Sequence, residues 1–525
     1  MLSLLRARLD DRTTRNQRTN TPRPRFAVLV LEELERRELP SASGWVALPN
    51  DAVTPLAGTG LAAVYSPTQI RHAYGFDKLP YDGAGQTIAI IDAYDDPKVY
   101  SDLQAFDRAF GLADPPSFIK ATPQGLPAAN SSWAGEIALD VEWAHAIAPK
   151  ANILLVEAKS ASVLDLLGAV DYARNYPTVS VVSMSWGGPE FFNEASYESH
   201  FATPTNHIGG GGRVGGITFV ASSGDIGAWS GPEWPSVSPD VLAVGGTTLH
   251  LSNGSYSSES GWSGSGGGYS AYHAEPAYQH SVQTTGRRSD PDVAYNGDPS
   301  TGVYVYYSYA LPAGYSGWYA FGGTSAGAPQ WAGLLALADQ GRAASGLGSL
   351  ANAQATIYSL PASDFNTISS GYNGYSATGS YNPVVGRGSP HADLVVRGLM
   401  AAGSSTLIVN DVTGATSNGV GANAIGIIAI GTPLDGDESK TSRSAVDYVS
   451  ALQTFSPPFL TDTRHSDAVF STRNDEANRR PALTQTDDLL RDVARSFTSL
   501  RPHGRTTEAE QDLIDVALFG DESSE

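Results

Sequence analysis

Two carboxylates set four residues apart are the side chains in this chain most suited to moving a proton. Glu136 and Asp140 stand in the stretch Asn130–His145, and on a helix that spacing puts both on one face, within reach of each other. Trp143 and Ile147 follow at the next helical steps. Carboxylates on an apolar stripe are unusual, because charges normally turn to the solvated face. Burial and like-charge proximity keep a proton on such a pair and raise one apparent pKa. The pair can then accept a hydroxyl proton in mildly acidic water. A solvated helix face with a boundary tryptophan is the plainer alternative.

A hydroxyl for that base is offered by Ser325, in Gly322-Gly323-Thr324-Ser325-Ala326-Gly327-Ala328-Pro329. Small neighbours are expected to leave Ser325 uncovered. Trp331, Leu334, Leu335 and Leu337 then read as a buried helix. A serine at a helix start gains free backbone amides and the positive end of the dipole, which suits an acyl-transfer nucleophile. A glycine-rich turn capped by an ordinary serine is the competing reading.

Serine nucleophiles normally pair with histidine. The strand Thr87–Asp92 ends in an aspartate, as in subtilisin-type enzymes, yet no histidine opens a Gly/Thr-rich helix downstream. His145 lies nearest, but inside the helical stretch. A third acid, Asp225, follows the strand Ile217–Ala221 through Ser222-Ser223-Gly224. That places it at the carboxyl edge of a parallel sheet, where ligand sites gather. A subtilisin-type enzyme would carry asparagine there as an oxyanion donor. Aspartate donates only when protonated, so its presence points to low pH. Alone, it reads as a turn residue.

Together these residues resemble the sedolisin family, the serine-carboxyl peptidases. The resemblance runs from Tyr65 to Val396. It rests on Glu136-x-x-x-Asp140, Ser183-Met184-Ser185-Trp186-Gly187, Ala221-Ser222-Ser223-Gly224-Asp225, Ala243-Val244-Gly245-Gly246-Thr247-Thr248 and Gly323-Thr324-Ser325-x-x-x-Pro329. It implies Ser325 as nucleophile, Glu136 as general base, Asp140 as the acid orienting it and Asp225 as oxyanion stabiliser. Trp186 takes the family's tryptophan position, and Asp92 extends the acid chain behind Glu136.

Three departures accompany the resemblance. Family members carry a long folded propeptide, whereas the residues preceding the similarity here are polar and Pro-rich. Folding assistance and self-inhibition by a prodomain are therefore not expected. The family's calcium loop corresponds to Thr367, Ile368, Thr378, Ser380 and Asn382, with Thr367 and Asn382 in place of the aspartates and Asp364 out of register. Calcium favours charged oxygen ligands, so the site is expected to be weakened or lost and replaced by hydrogen bonding. No other cofactor is expected. Finally, the long acidic tail has no counterpart in the family.

The length of 525 residues and 41% apolar content allow one large domain with appendages. Cysteine is absent, which excludes disulfides and thiol chemistry. A net charge of −21 disfavours nucleic acid and anionic membranes as partners. No apolar run is long enough to span a bilayer. The order of patterns predicts an α/β, subtilisin-like three-layer fold: a mostly parallel central sheet flanked by helices, with disordered N- and C-terminal extensions. Strands are expected at Thr87–Ile91, Asn152–Glu157, Val179–Met184, Ile217–Ala221 and Val241–Val244. A helix is expected at Val163–Asn175, with Leu164, Leu167 and Val170 facing inward. Gly209–Gly212 and Ser263–Ser270 read as glycine loops, the first as a substrate-edge loop or a plain linker.

Residues 1–60 read as an export-type or linker segment, largely disordered. Its run Glu32-Glu33-Leu34-Glu35-Arg36-Arg37-Glu38-Leu39 resembles N-terminal sequences of exported and surface proteins of planctomycete-like bacteria; an amphipathic stub without address function is the alternative. Residues 61–400 read as the peptidase domain. Residues 401–525 read as an acidic, mostly disordered tail with a short helix near Asp487–Leu500. The expected function is an acid-active serine-carboxyl endopeptidase, secreted or at the cell surface, monomeric and acting on proteins or peptides. A noncatalytic surface protein of the same fold and a subtilisin-type protease using Asp92, His145 and Ser325 stay open as alternatives.

Overall fold

Aliphatic and β-branched runs build the centre of the molecule. The computed structural model describes residues 45–49, 52–55, 64–310 and 317–403. The expectations for residues 1–44 and for the tail beyond 403 lie outside the described residues.

The sheet strands are β1 (Thr87–Ala93), β2 (Phe118–Ala121), β3 (Asn152–Ala158), β4 (Val179–Met184), β5 (Thr218–Ser222), β6 (Val241–Ser252), β7 (Ser255–Gly261) and β8 (Val293–Asn296). They are ordered β7-β6-β5-β4-β1-β3-β2, with β8 also pairing β6. Every pair is parallel except β6–β7. All residues of β1, β4 and β5 are buried, as strands covered on both faces must be. A smaller antiparallel sheet joins β9 (Val303–Tyr306), β10 (Trp318–Gly322) and residues 52–55.

Seven helices accompany the strands among the described residues: α1 (Pro67–Tyr74), α2 (Val99–Phe110), α3 (Ser131–Ile147), α4 (Val163–Arg174), α5 (Ala328–Ala344), α6 (Gln354–Ser359) and α7 (Ala392–Ala401). Asn130 starts α3 by accepting from the amides of Ser132 and Trp133. Residues 133–147 of α3 are all buried, because α2, α5 and β1 surround it. Gly333 lets α5 approach α3: a Cβ there would stand 2.7 Å from Ile147. In α4 the inward face is Val163, Leu166, Leu167 and Val170. Leu164, expected inward, is 64% exposed, because the buried stripe 163/166/167/170 is spaced i, i+3, i+4, i+7 and leaves position 164 on another face. Apart from that residue, the expected strands and the helix expected at Val163–Asn175 stand within one or two positions of the observed ones. The long exception is β6, which runs past Val244 to Ser252 before turning into β7.

The segment after β4 takes three acids partly or wholly out of solvent. Glu190 accepts from Ser270 Oγ and Ala271 N. Glu194 accepts from Phe191 N and lies 3.2 Å from His273 Nε2. Glu198 accepts from Ser238 Oγ and also faces His273. Desolvation pushes each of the three carboxyls up to about 7. Burial likewise pushes Asp290 and Asp339 up to about 8. An unfolded carboxyl titrates near ~4, so the folded state holds these protons more tightly than the unfolded chain does. Their contribution to stability is complete below about pH 4 and is lost as pH rises toward 8. Thermal denaturation followed by circular dichroism should give a Tm that falls steadily across that window; a Tm rising from pH 5 to pH 8 would contradict it.

Candidate functional site

The carboxyl ends of the central strands collect the residues singled out from the sequence. Asp92 lies within β1 near its end, Ser185 follows β4, and Asp225 lies three residues after β5. Opposite them, β10 ends at Gly322 and leads through a short 3-10 turn, Thr324–Ala326, into α5. Ser325 thus occupies the expected strand-to-helix junction. The turn is set by glycines. Gly323 has φ +95° and donates its amide to Gly297 O at 2.6 Å. A Cβ on Gly297 would stand 3.0 Å from both Gly246 Cα and Gly323 O.

Ser325 is fully buried, not uncovered. Its small neighbours leave space that other segments fill. Its Oγ donates to the carbonyl of Ser185 at 3.4 Å, a long hydrogen bond that is easily exchanged. The side chain of the same Ser185 donates to Asp140 Oδ1 at 2.7 Å. One buried residue therefore touches both Asp140 and Ser325. Glu136 sits one helical turn before Asp140 and is equally buried, which removes the alternative of a solvated helix face. Its neighbour Gly135 abuts β10: a Cβ there would lie 3.1 Å from the Phe321 ring. The helix α3 also packs against the turn that carries Ser325.

Asp225 reaches the same turn from the other side. Its Oδ1 accepts from Thr324 N at 2.7 Å and from Thr324 Oγ1 at 2.9 Å, while Gly224 N donates to Thr324 Oγ1. These bonds hold the carboxyl beside the residue that precedes Ser325. Trp186 donates its Nε1 to Ile91 O at 2.8 Å, locking the end of β4 to β1 beside Asp92. Across the parallel pair β1–β3, Asp92 stands in register with Glu157. Burial pushes Glu157 up to about 8 against the opposing pull of Lys120, 2.9 Å away. His145 is held by Ala113 O at 2.9 Å and faces Asp107 at 3.4 Å. Neither partner belongs to the Ser325 turn, so the arrangement lacks the contact a histidine base requires.

Ser185, Thr324 and Glu157 are the contributors that sequence reasoning left without a role. The first two lie inside motifs already quoted, but their roles are contacts to elements far away in sequence. The loop Ser263–Ser270 borders the site, since Gly266 N donates to Gly224 O at 2.7 Å. Gly209–Gly212 does not: a Cβ on Gly211 would meet Ala343 at the far end of α5.

Thr367, Ile368, Ser380 and Asn382 line one small pocket together with Arg387. Asn382 Oδ1 accepts from the amides of Val384 and Val385 at 3.1 and 3.2 Å, and its Nδ2 donates to Thr378 O. The Arg387 guanidinium donates to the carbonyls of Ile357, Tyr358 and Leu360 at 2.5–2.8 Å. A donor set without carboxylates, with its one amide oxygen engaged and a guanidinium in the wall, does not fit calcium.

A profile of the subtilase family matches residues 130–375. Kumamolisin of Bacillus sp. (strain MN-32) is 32% identical over 65% of this chain and 64% of its own length. Sedolisin of Pseudomonas sp. (strain 101) is 29% identical over 64% of this chain and 60% of its own. The chain thus spans under two thirds of the length of these relatives. Among solved structures, Pseudomonas sedolisin, described as a serine-carboxyl proteinase complexed with two molecules of pseudo-iodotyrostatin, superposes with a TM-score of 0.55 at 28% identity. That match covers 66% of this chain and all of the other. With a subtilisin-like sheet, these relatives and this structural match, the chain is similar to the sedolisin family of serine-carboxyl peptidases.

Proposed function

We propose that this chain is an acid-active serine-carboxyl endopeptidase. The observation that carries the reading is Ser185, whose side chain holds Asp140 while its carbonyl accepts from Ser325. Ser325 Oγ leaves that carbonyl, gives its proton to Glu136 and bonds to the scissile carbonyl carbon. The carbonyl oxygen becomes the oxyanion, and a protonated Asp225 donates to it, worth about 3 kcal/mol for one donor. Glu136 then returns the proton to the amine, the C–N bond breaks, and water hydrolyses the acyl-enzyme by the same route reversed. Asp140 orients Glu136, while Trp186 and Asp92 support the acids from behind. The substrates are proteins or peptides met in acid surroundings outside the cell, by a monomer. Among the described residues no helix is long and apolar enough to cross a membrane, which is compatible with export. The loop around Asn382 works without calcium.

Complete burial of Ser325 favours a second reading, a noncatalytic scaffold. Casein digestion at about pH 4, where a carboxylate base and a protonated Asp225 coexist, separates the two. The wild type should digest casein, and Ser325→Ala should lose about 10⁴-fold or more in kcat. Ser185→Ala should lower kcat about tenfold, the value of one hydrogen bond to a carboxylate. It should also move the acidic limb of the pH profile upward, because Asp140 loses a donor that favours its anion. An unmoved limb would remove Ser185 from the mechanism. Adding EDTA or calcium should leave the Tm unchanged; a rise of several degrees with calcium would show a working metal site.

A further inference from the structure

Thr324 is tied to Asp225 by both of its donors, and carboxyl chemistry gives that pairing a consequence. Thr324 N donates to Asp225 Oδ1 at 2.7 Å, and Thr324 Oγ1 donates to the same oxygen at 2.9 Å. The hydroxyl carries one proton and has a second acceptor in reach, Gly224 O at 3.2 Å. That carbonyl already accepts from Gly266 N at 2.7 Å, so the carboxyl is the nearer and stronger acceptor. Oγ1 in turn accepts from Gly224 N at 3.1 Å. The threonine hydroxyl is thus directed wholly at residues 224 and 225.

The rest of the side chain is fixed too. A Cβ on Gly246 would stand 3.5 Å from Thr324 Cγ2. Methyl and hydroxyl therefore face different neighbours, and the β-branch holds χ1. Gly224, at φ +105°, turns its amide toward the hydroxyl in a conformation that side chains avoid. A Cβ there would meet the Glu233 carboxyl 2.6 Å away.

A carboxylic acid has one proton, and its other oxygen is the better acceptor. Because Oδ1 receives two hydrogen bonds, the proton belongs on Oδ2. The charged groups around this carboxyl are themselves acids: Glu233 beside Gly224, and Glu136 and Asp140 on α3, which packs against the serine turn. Like charges oppose ionisation of Asp225, whereas donors to its anion favour it. The two Thr324 donors pull in that second direction.

We propose that Thr324 is the positioning residue for Asp225: donating twice to Oδ1, it confines the acid proton to Oδ2 and holds that O–H where the oxyanion forms. This rests on the reading of Asp225 as oxyanion stabiliser. The Oδ2–H bond stays intact throughout and lends a hydrogen bond to the developing charge, while Glu136 carries the serine proton.

The test follows initial rates of casein digestion by the full-length chain from about pH 3 to pH 7, where a carboxyl acid and base titrate. Thr324→Val keeps the shape and the amide but removes the hydroxyl. Its maximal rate should fall about tenfold, part of the loss expected when an oxyanion donor is removed outright. Its alkaline limb should move upward by about one pH unit, because the Asp225 anion loses a donor and the acid persists to higher pH. Thr324→Ser restores the donor and should recover the wild-type limb and most of the rate. A lower rate with an unmoved limb is what lost packing alone gives, and it would overturn the proposal. A Thr324→Ser profile matching that of Thr324→Val would do the same. Should Thr324→Val not fold, the infrared difference between wild type and Asp225→Asn at about pH 4 reads the same bond. A carbonyl receiving two donors stretches at a lower frequency than one receiving none, and an unshifted Asp225 carbonyl rejects the role. Asp225→Asn with the wild-type rate and limb would instead remove Asp225 from the oxyanion. A wild type no faster than Ser325→Ala would remove the peptidase reading itself.

Discussion

Taking carboxyl groups out of water is the constraint on which this molecule depends. Asp92, Glu136, Asp140, Glu142, Glu157, Glu194, Asp290, Asp292 and Asp339 are all buried, and the guanidinium of Arg288 matches only one of them closely, Asp292 at 2.6 Å. An uncompensated carboxylate in a low-dielectric interior is costly enough that the group keeps its proton instead. Hydroxyls and amides then do the work that cations do elsewhere: Ser185 for Asp140, Thr324 for Asp225, Tyr306 N for Glu142. A histidine base would be charged and unhelpful in acid, whereas a carboxyl tuned by burial titrates where such an enzyme operates. Fold stability and proposed chemistry thus draw on the same protonation equilibrium.

Position within the sheet turns this constraint into a site. Parallel strands all end at one edge, so Asp92, Ser185 and Asp225 converge although more than a hundred residues separate the first from the last. The helix α3 brings Glu136 and Asp140 to that edge from the side. It can do so because it is sheathed by α2, α5 and β1, a cover that leaves neither carboxyl in solvent.

The local parts of this arrangement were legible in the sequence. Unbroken β-branched runs marked the buried parallel strands, four-residue spacing marked the carboxyl face, and glycines before Ser325 marked the junction. Whatever depended on contacts distant in sequence was not. Leu164 was assigned inward because its stripe was phased one residue too late, the buried stripe starting at Val163. Ser325 was expected to be open because its neighbours are small, yet it is fully buried, with its hydroxyl against the carbonyl of Ser185, 140 residues earlier. Ser185 carried no signal of its own, since a serine between Met184 and Trp186 looks like any other strand end. The loop around Asn382 could be read as poor in carboxylates, but the guanidinium in its wall became visible only when Arg387 was placed against the carbonyls of Ile357, Tyr358 and Leu360.

Gly246, Gly297 and Gly323 meet backbone against backbone beneath the serine turn, none of them bearing a group that reacts. The position of Ser325 therefore depends on the missing side chain of Gly297 and on the left-handed backbone of Gly323. A library randomised at these positions should return glycine at each. Attempts to alter the proposed site will have to begin from its outer walls, leaving this glycine floor untouched.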